Sequence, residues 1–142
     1  MKIFLDTSSL IKLYHTEKGT AELDKLLDEN LIQEIYLSEI SKIEFNSAIW
    51  KKVRTKDLTP EVAVDIIDSF QSDYANYSFI PTNNHLLTLA RDLVAKYGLA
   101  GLRTLDSVQL ASIISVRDEL DMAVTSDDLL RTLIIKEGIE SK

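Results

Sequence analysis

The 142-residue chain has no cysteine, only four glycines and two prolines, and no long apolar run. Without cysteine it has neither disulfides nor thiolate metal sites, which fits a reducing cytoplasm. No apolar segment approaches the ~20 residues of a membrane span. Asp6 interrupts the only N-terminal apolar run, Ile3-Phe4-Leu5, after three residues, so no signal peptide is expected. Positive charge is also scarce. Sixteen Lys and Arg stand against 23 Asp and Glu, a net charge of −7. A protein that coats nucleic acid carries the opposite balance. An enzyme that reaches nucleic acid through bound cations is compatible with this one, because acids gathered in one pocket hold Mg²⁺ together. No repeat, linker or low-complexity segment divides the chain. A single domain over residues 1–142 is therefore expected, large enough to bury ~70% of its unfolded surface.

What is present is organised around Met1 to Leu13. Ile3, Phe4 and Leu5 suit a strand buried on both faces of a parallel sheet. Asp6 ends that run, Thr7, Ser8 and Ser9 follow, and apolar spacing turns helical at Leu10, Leu13 and Tyr14. The pattern reads as strand, tight turn and helix, the helix running from about Ser8 to Thr16. Ligands of open α/β sheets sit beyond the carboxyl ends of the strands, which makes Asp6 a candidate metal ligand. Asp6 or Ser8 as a plain helix N-cap is the competing reading.

The same grammar repeats downstream. Leu23, Leu26 and Leu27 mark a second helix, and Ile35 and Leu37 a second strand. Ser38 opens a long helix to about Arg54, with Ile40, Ile43, Ser47 and Trp50 near one stripe. Thr59-Pro60-Glu61 is a strong helix start, followed by Ala63, Ile66, Ile67, Phe70 and Tyr74 at helical spacing. Tyr77 to Ile80 reads as a strand. Asn83 or Asn84 caps a helix through Tyr97, with Gly98 in the left-handed position past its end. Thr104 caps a helix to about Val116, Met122 to Val124 is a fourth strand, and a last helix carries Leu129, Leu130, Leu133 and Ile134. Short apolar strands alternating with helices imply an α/β fold, a three-layer α/β/α arrangement around a short parallel sheet of four or five strands.

Four acids fall at telling places in this map. Asp6 and Asp127 each follow a strand, at what becomes the same edge of a parallel sheet. Asp106 lies in the first turn of a helix, and Glu44 in the helix after strand two. Ser41-x-x-Glu44 also fits a capping box, and Asp106 a helix-dipole acid. Converging carboxylates repel one another unless a cation neutralises them. Oxygen ligands without Cys or His select Mg²⁺ or Mn²⁺ over Zn²⁺. The implied chemistry is metal-assisted hydrolysis of a phosphodiester.

Four stretches then carry a family resemblance. Phe4-Leu5-Asp6-Thr7-Ser8-Ser9-Leu10-Ile11-Lys12-Leu13-Tyr14 resembles the opening motif of PIN-domain proteins, especially VapC-type toxins of toxin–antitoxin pairs. Leu37 to Phe45 is similar to their second motif, Leu102 to Ala111 to the third, and Val124 to Leu130 to the fourth. The resemblance implies a Mg²⁺- or Mn²⁺-dependent endoribonuclease with Asp6, Glu44, Asp106 and Asp127 as its acidic quartet. It also implies a homodimer and a cognate antitoxin that blocks the site, without membrane attachment. Gln109 stands where many relatives carry His, and no catalytic duty is assigned to it. Asp128 beside Asp127 reads as a first-turn helix acid.

Within that scheme Asp6 and Asp106 are direct metal ligands, and Glu44 and Asp127 bind metal or orient water. Thr7, Ser8 and Thr125 hydrogen-bond the carboxylates or the scissile phosphate, or serve only the turns. Arg103 contacts RNA phosphate or is simply solvated. Lys51, Lys52, Arg54 and Lys56 form either an RNA entry path or a complement to a helix C-terminus, and the Thr59–Tyr74 stripe either a dimer face or core. His15 and His85 have no ligand spacing. The rival functions are a catalytically silent PIN-like binding module and a phosphotransfer domain, a receiver or an aspartyl-phosphatase.

Overall fold

A computed structural model describes residues 1–142. Four parallel strands form the sheet: β1 (Lys2–Leu5), β2 (Glu34–Ser38), β3 (Ser78–Ile80) and β4 (Met122–Val124). Their spatial order is β3-β2-β1-β4, paired at Phe4 with Tyr36, Leu5 with Val124 and Leu37 with Phe79. The chain steps outward from β1 to β3, then returns to lay β4 on the other side of β1. The gap between β1 and β4 is therefore the switch point of the sheet, where connections leave for opposite faces. Residues 140–142 run beside β4, with Lys142 N donating to Ala123 O at 3.1 Å and Thr125 N to Lys142 O at 2.9 Å.

Successive strand residues point to opposite faces, and this alternation divides the core in two. Ile3, Leu5, Leu37, Met122 and Val124 face α1 (Thr7–Leu10), α2 (Thr20–Asp28), α3 (Ser41–Arg54) and α4 (Pro60–Ser72). Phe4, Tyr36 and Ala123 face α5 (Asn84–Tyr97), α6 (Thr104–Ser115) and α7 (Asp128–Lys136). Helices thus cover both faces, the three-layer arrangement expected from the sequence. On the first face an aromatic cluster joins helices to sheet edge: Phe45 and Phe70 lie tilted against each other at 4.4 Å between centroids, with Tyr14 edge-on 5.5 Å from Phe45.

Several local expectations are corrected. The first helix is one turn, Thr7–Leu10, tightening to a 3₁₀ turn at Ile11–Leu13 rather than reaching Thr16. Ser38 ends β2, and α3 starts at Ser41. The inward stripe of α3 is Ser41, Phe45 and Ile49, whereas Ile43 and Trp50 are 72% and 39% exposed. Apolar residues on two faces of that helix made the sequence ambiguous. The stripe of α4 is core, with Ala63, Ile67 and Phe70 buried, so it is not an open dimer face. Arg103, not Thr104, holds the N-cap position of α6. Gly98 is right-handed and continues α5 into a 3₁₀ turn. Gly101, at φ 109°, takes the left-handed position instead.

Candidate active site

The switch point gathers the acids. Asp6 leaves the end of β1 and is 5% exposed, its backbone N donating to Val124 O at 3.2 Å. As N-cap of α1 it accepts from Ser9 N at 2.9 Å, so the capping reading holds, but capping is a small part of its surroundings. Ser8 Oγ lies 2.8 Å from both carboxylate oxygens, and Thr125 Oγ1 donates to Oδ2 at 2.6 Å. Burial nevertheless raises its pKa, outweighing these donors. A buried carboxylate so surrounded is held at one orientation.

Thr125 reaches a second acid as well. Its Oγ1 accepts from Asp127 N at 3.0 Å, and Asp127 caps α7 by accepting from Leu130 N at 2.7 Å. Asp128, 95% exposed at its side chain, turns away to Arg131 at 2.7 Å. That is the first-turn placement expected of it.

Glu44 and Asp106 come from helices on opposite layers. Glu44 Oε1 accepts from Gln109 Nε2 at 2.7 Å and from Thr7 Oγ1 at 3.2 Å. Ser41 does not close the capping box with Glu44. Its hydroxyl lies 3.0 Å from Thr7 Oγ1 and 3.1 Å from Gln109 Nε2, so a buried polar network joins α1, α3 and α6. The Glu44 carboxyl is raised above its ordinary range, first by burial, against the donors Gln109 and Thr7, and further by the charges of Asp106 and Asp6. Asp106 is raised too, first by burial and then by Asp127 and Asp6, with Arg103 opposing. All four acids therefore share one electrostatic field.

Gln109 is the residue that sequence reading missed. It lies three positions after Asp106, hence on the same helix face. It is buried beside Val108, Leu110 and Ala111, where a side-chain amide requires partners. That spacing was the available signal. Among the remaining candidates, Arg103 is exposed and acts on Asp106 only through its charge. The cluster of Lys51, Lys52 and Arg54 sits in the last turn of α3, two or more turns from Glu44, and Lys52 is paired with Glu17 at 2.8 Å. His15 and His85 join none of these contacts.

No three His, Asp or Glu side chains are arranged to hold a metal ion as they stand. The donor set still fits a hard divalent cation, being all oxygen, partly buried and mutually repelling. Every carboxylate with a raised pKa belongs to this cluster, whereas the other shifted acids, Glu34 and Glu137, are lowered by hydrogen bonds and ion pairs.

Fold and site together define the class: an α/β/α protein with a parallel sheet and a cluster of acids at its switch point. The PIN domain profile matches residues 3–133, and the chain belongs to the PIN domain family. Solved structures with the same fold include VapC20 of Mycobacterium tuberculosis, a Sarcin-Ricin loop cleaving toxin. It is 14% identical, covers 92% of this chain and 94% of its own, and has a TM-score of 0.71. FitAcB of Neisseria gonorrhoeae is 14% identical over 98% and 95%, TM-score 0.71. VapBC-1 of nontypeable Haemophilus influenzae is 14% identical over 100% and 97%, TM-score 0.64. No curated protein matches the sequence significantly.

Proposed function

We propose that the protein is a Mg²⁺- or Mn²⁺-dependent endoribonuclease, acting as the toxin of a toxin–antitoxin pair. What supports this reading is the mutual electrostatic influence of Asp6, Glu44, Asp106 and Asp127 near the β1–β4 switch point, three of them with raised pKa values. Asp6 and Asp106 are assigned as metal ligands, with Glu44 and Asp127 ligating or orienting the attacking water. A divalent cation held there supplies polarisation of the phosphodiester and a more acidic water. Thr125 and Ser8 hold Asp6 in place, Gln109 and Thr7 hold Glu44, and the opposite layers bring Glu44 and Asp106 to one cluster. No histidine or lysine in this network serves as a general base. The toxin role draws on the toxin–antitoxin complexes among the structural neighbours, and brings with it an antitoxin partner, a homodimer and a cytoplasmic site of action.

The test is to sequence the ends of RNA fragments produced with and without Mg²⁺ by the wild type, Asp6→Asn and Asp106→Asn. Cleavage that requires Mg²⁺ and both aspartates is expected, the variants keeping wild-type circular dichroism. Equal cutting by either folded Asn variant overturns the assignment.

A further inference from the structure

Beside the acid cluster lies a cavity of about 480 Å³ between the Ile11–Leu13 turn, α2, the β4–α7 connection and the C-terminal residues. Its character is opposite to that of its neighbour. Lys12, Lys18, Arg131 and Lys142 line it, against Glu22 and Asp128. In a chain of net charge −7 this is an unusual gathering of cations, and most of them are unpaired. No ion pair within 4.0 Å includes Lys12, Lys18 or Lys142. Arg131 bonds the exposed Asp128 and also donates to Thr125 O at 2.6 Å. Unneutralised like charges around one cavity repel each other until an anion enters.

The cavity is built as well as charged. The Lys12 ammonium bonds Ser126 Oγ and lies over Gly19, where an added Cβ would sit 2.5 Å from Nζ. Gly19 adopts φ 89°, a backbone conformation that disfavours any side chain there, and its lack of one leaves room for the Lys12 ammonium as it stands. Leu23, Leu26 and Val124 supply apolar lining. The volume lies within the range of small-ligand pockets. Thr125 lines this cavity and bonds Asp6 on the other side, so the cavity and the acid cluster share a wall.

We infer that this cavity is a phosphate-binding subsite for the nucleotide next to the scissile bond, with Lys12 and Lys18 holding the phosphate and the apolar lining receiving ribose or base. The inference extends the ribonuclease reading and rests on it for the identity of the strand. A nucleic-acid strand crossing the two sites meets carboxylates where a cation is needed and ammonium groups in the adjoining cavity. A chain of net charge −7 thereby sets four of its basic residues where they contact the strand.

The experiment is fluorescence anisotropy with a labelled single-stranded oligoribonucleotide of about 12 nucleotides, in EDTA so that no cutting occurs. Wild type, Lys12→Gln, Lys18→Gln, the double variant and Lys25→Gln are compared across a salt series. Lys25 lies on α2 and is paired with Glu29 at 3.8 Å, and serves as the control for charge removed outside the cavity. Each cavity variant is expected to bind at least about threefold more weakly, with the slope of log K against log salt falling by about 0.7 per lysine. Lys25→Gln retains wild-type values. Lys18 is exposed, so its variant reads out even if Lys12→Gln fails to fold. Wild-type affinity and slope in Lys18→Gln and the double variant overturn the inference, as does equal weakening by Lys25→Gln. Unchanged RNA binding with lost binding of an acidic antitoxin peptide overturns it too, and gives the cavity to a protein partner. The two readings fail separately. If Mg²⁺ elicits no cutting but the cavity variants still lose affinity, the ribonuclease falls and the phosphate site stands. Mg²⁺-dependent cutting with undiminished binding gives the reverse.

Discussion

Gln109 Nε2 donates to Glu44 Oε1 at 2.7 Å across 65 positions of sequence, and the same amide nitrogen reaches Thr7 and Ser41. One amide on α6 thus sets the orientation of a carboxylate on α3. Its own Oε1 has no donor, so the side chain is held from one end only.

Gln109→Met separates positioning from packing. Methionine fills a similar volume and removes the unpartnered oxygen, but Glu44, Thr7 and Ser41 lose a donor, so the variant should lose about 1–3 kcal/mol while remaining folded. Loss of the donor to Glu44 should lower Mg²⁺ affinity or metal-dependent cleavage by about 10–100-fold. Calorimetric titration of Mg²⁺ alongside thermal melting checks both. Unaltered metal affinity in a folded variant would reduce the contact to a structural one.

Thr125→Val tests the bridge between Asp6 and Asp127. The substitution keeps the shape and deletes an oxygen that donates to one acid and accepts from the backbone of the other. Leaving Asp6 Oδ2 and Asp127 N short of a partner costs about 1–3 kcal/mol. Urea unfolding reports that cost, and cleavage should fall by about 10–100-fold.

Stability of the metal-free protein should decline as pH rises above the ordinary carboxylate range near 4. Asp6, Glu44 and Asp106 all have folded-state pKa values above their ordinary ones. The folded state therefore binds more protons than the unfolded state, and by linkage stability falls as pH rises through those folded values. Glu34 and Glu137 are shifted down, and their stabilising contribution is lost only in acid, below the ordinary range near 4. Melting temperatures in EDTA should be higher at pH 5 than at pH 8. Mg²⁺ should raise them more at pH 8, and Asp106→Asn should flatten the profile. A metal-free melting temperature that climbs steadily to pH 8 contradicts the shared field.

The aromatic cluster should matter to stability alone. Tyr14 Oη donates to Asp73 at 2.8 Å and lies 2.6 Å from Tyr77 Oη, while the fully buried Phe70 packs on Tyr14, Phe45, Tyr74 and Tyr77. Tyr14→Phe should cost about 1–2 kcal/mol and Phe70→Ala about 3–5 kcal/mol, measured by denaturant unfolding. Cleavage by Tyr14→Phe at a temperature where it is fully folded should equal wild type.

Much of the fold was legible along the chain, because a strand buried on both faces reads as an apolar run and a covering helix as a 3.6-residue stripe. Asp6 and Asp127 were found because each ends such a run. The stripe of α3 was misread because Ile43 and Trp50 are apolar but exposed, and periodicity alone does not say which of two apolar faces meets a neighbour. Gly98 and Gly101 lie three residues apart, and only the extra 3₁₀ turn selects the second as left-handed.

By itself the sequence determined the layered parallel architecture and the positions of four acids at its carboxyl edge, since both follow from patterns local in the chain. Tertiary structure decided the rest. Gln109 meets Thr7 across 102 positions, Thr125 meets Asp6 across 119, and Lys12 meets Ser126 across 114. The last two contacts exist because β4 returns to lie beside β1, and the first because α6 packs back over the sheet before β4 begins. Hydrogen bonds and charge depend on distance in space, and that distance is set by strand order rather than by spacing along the chain.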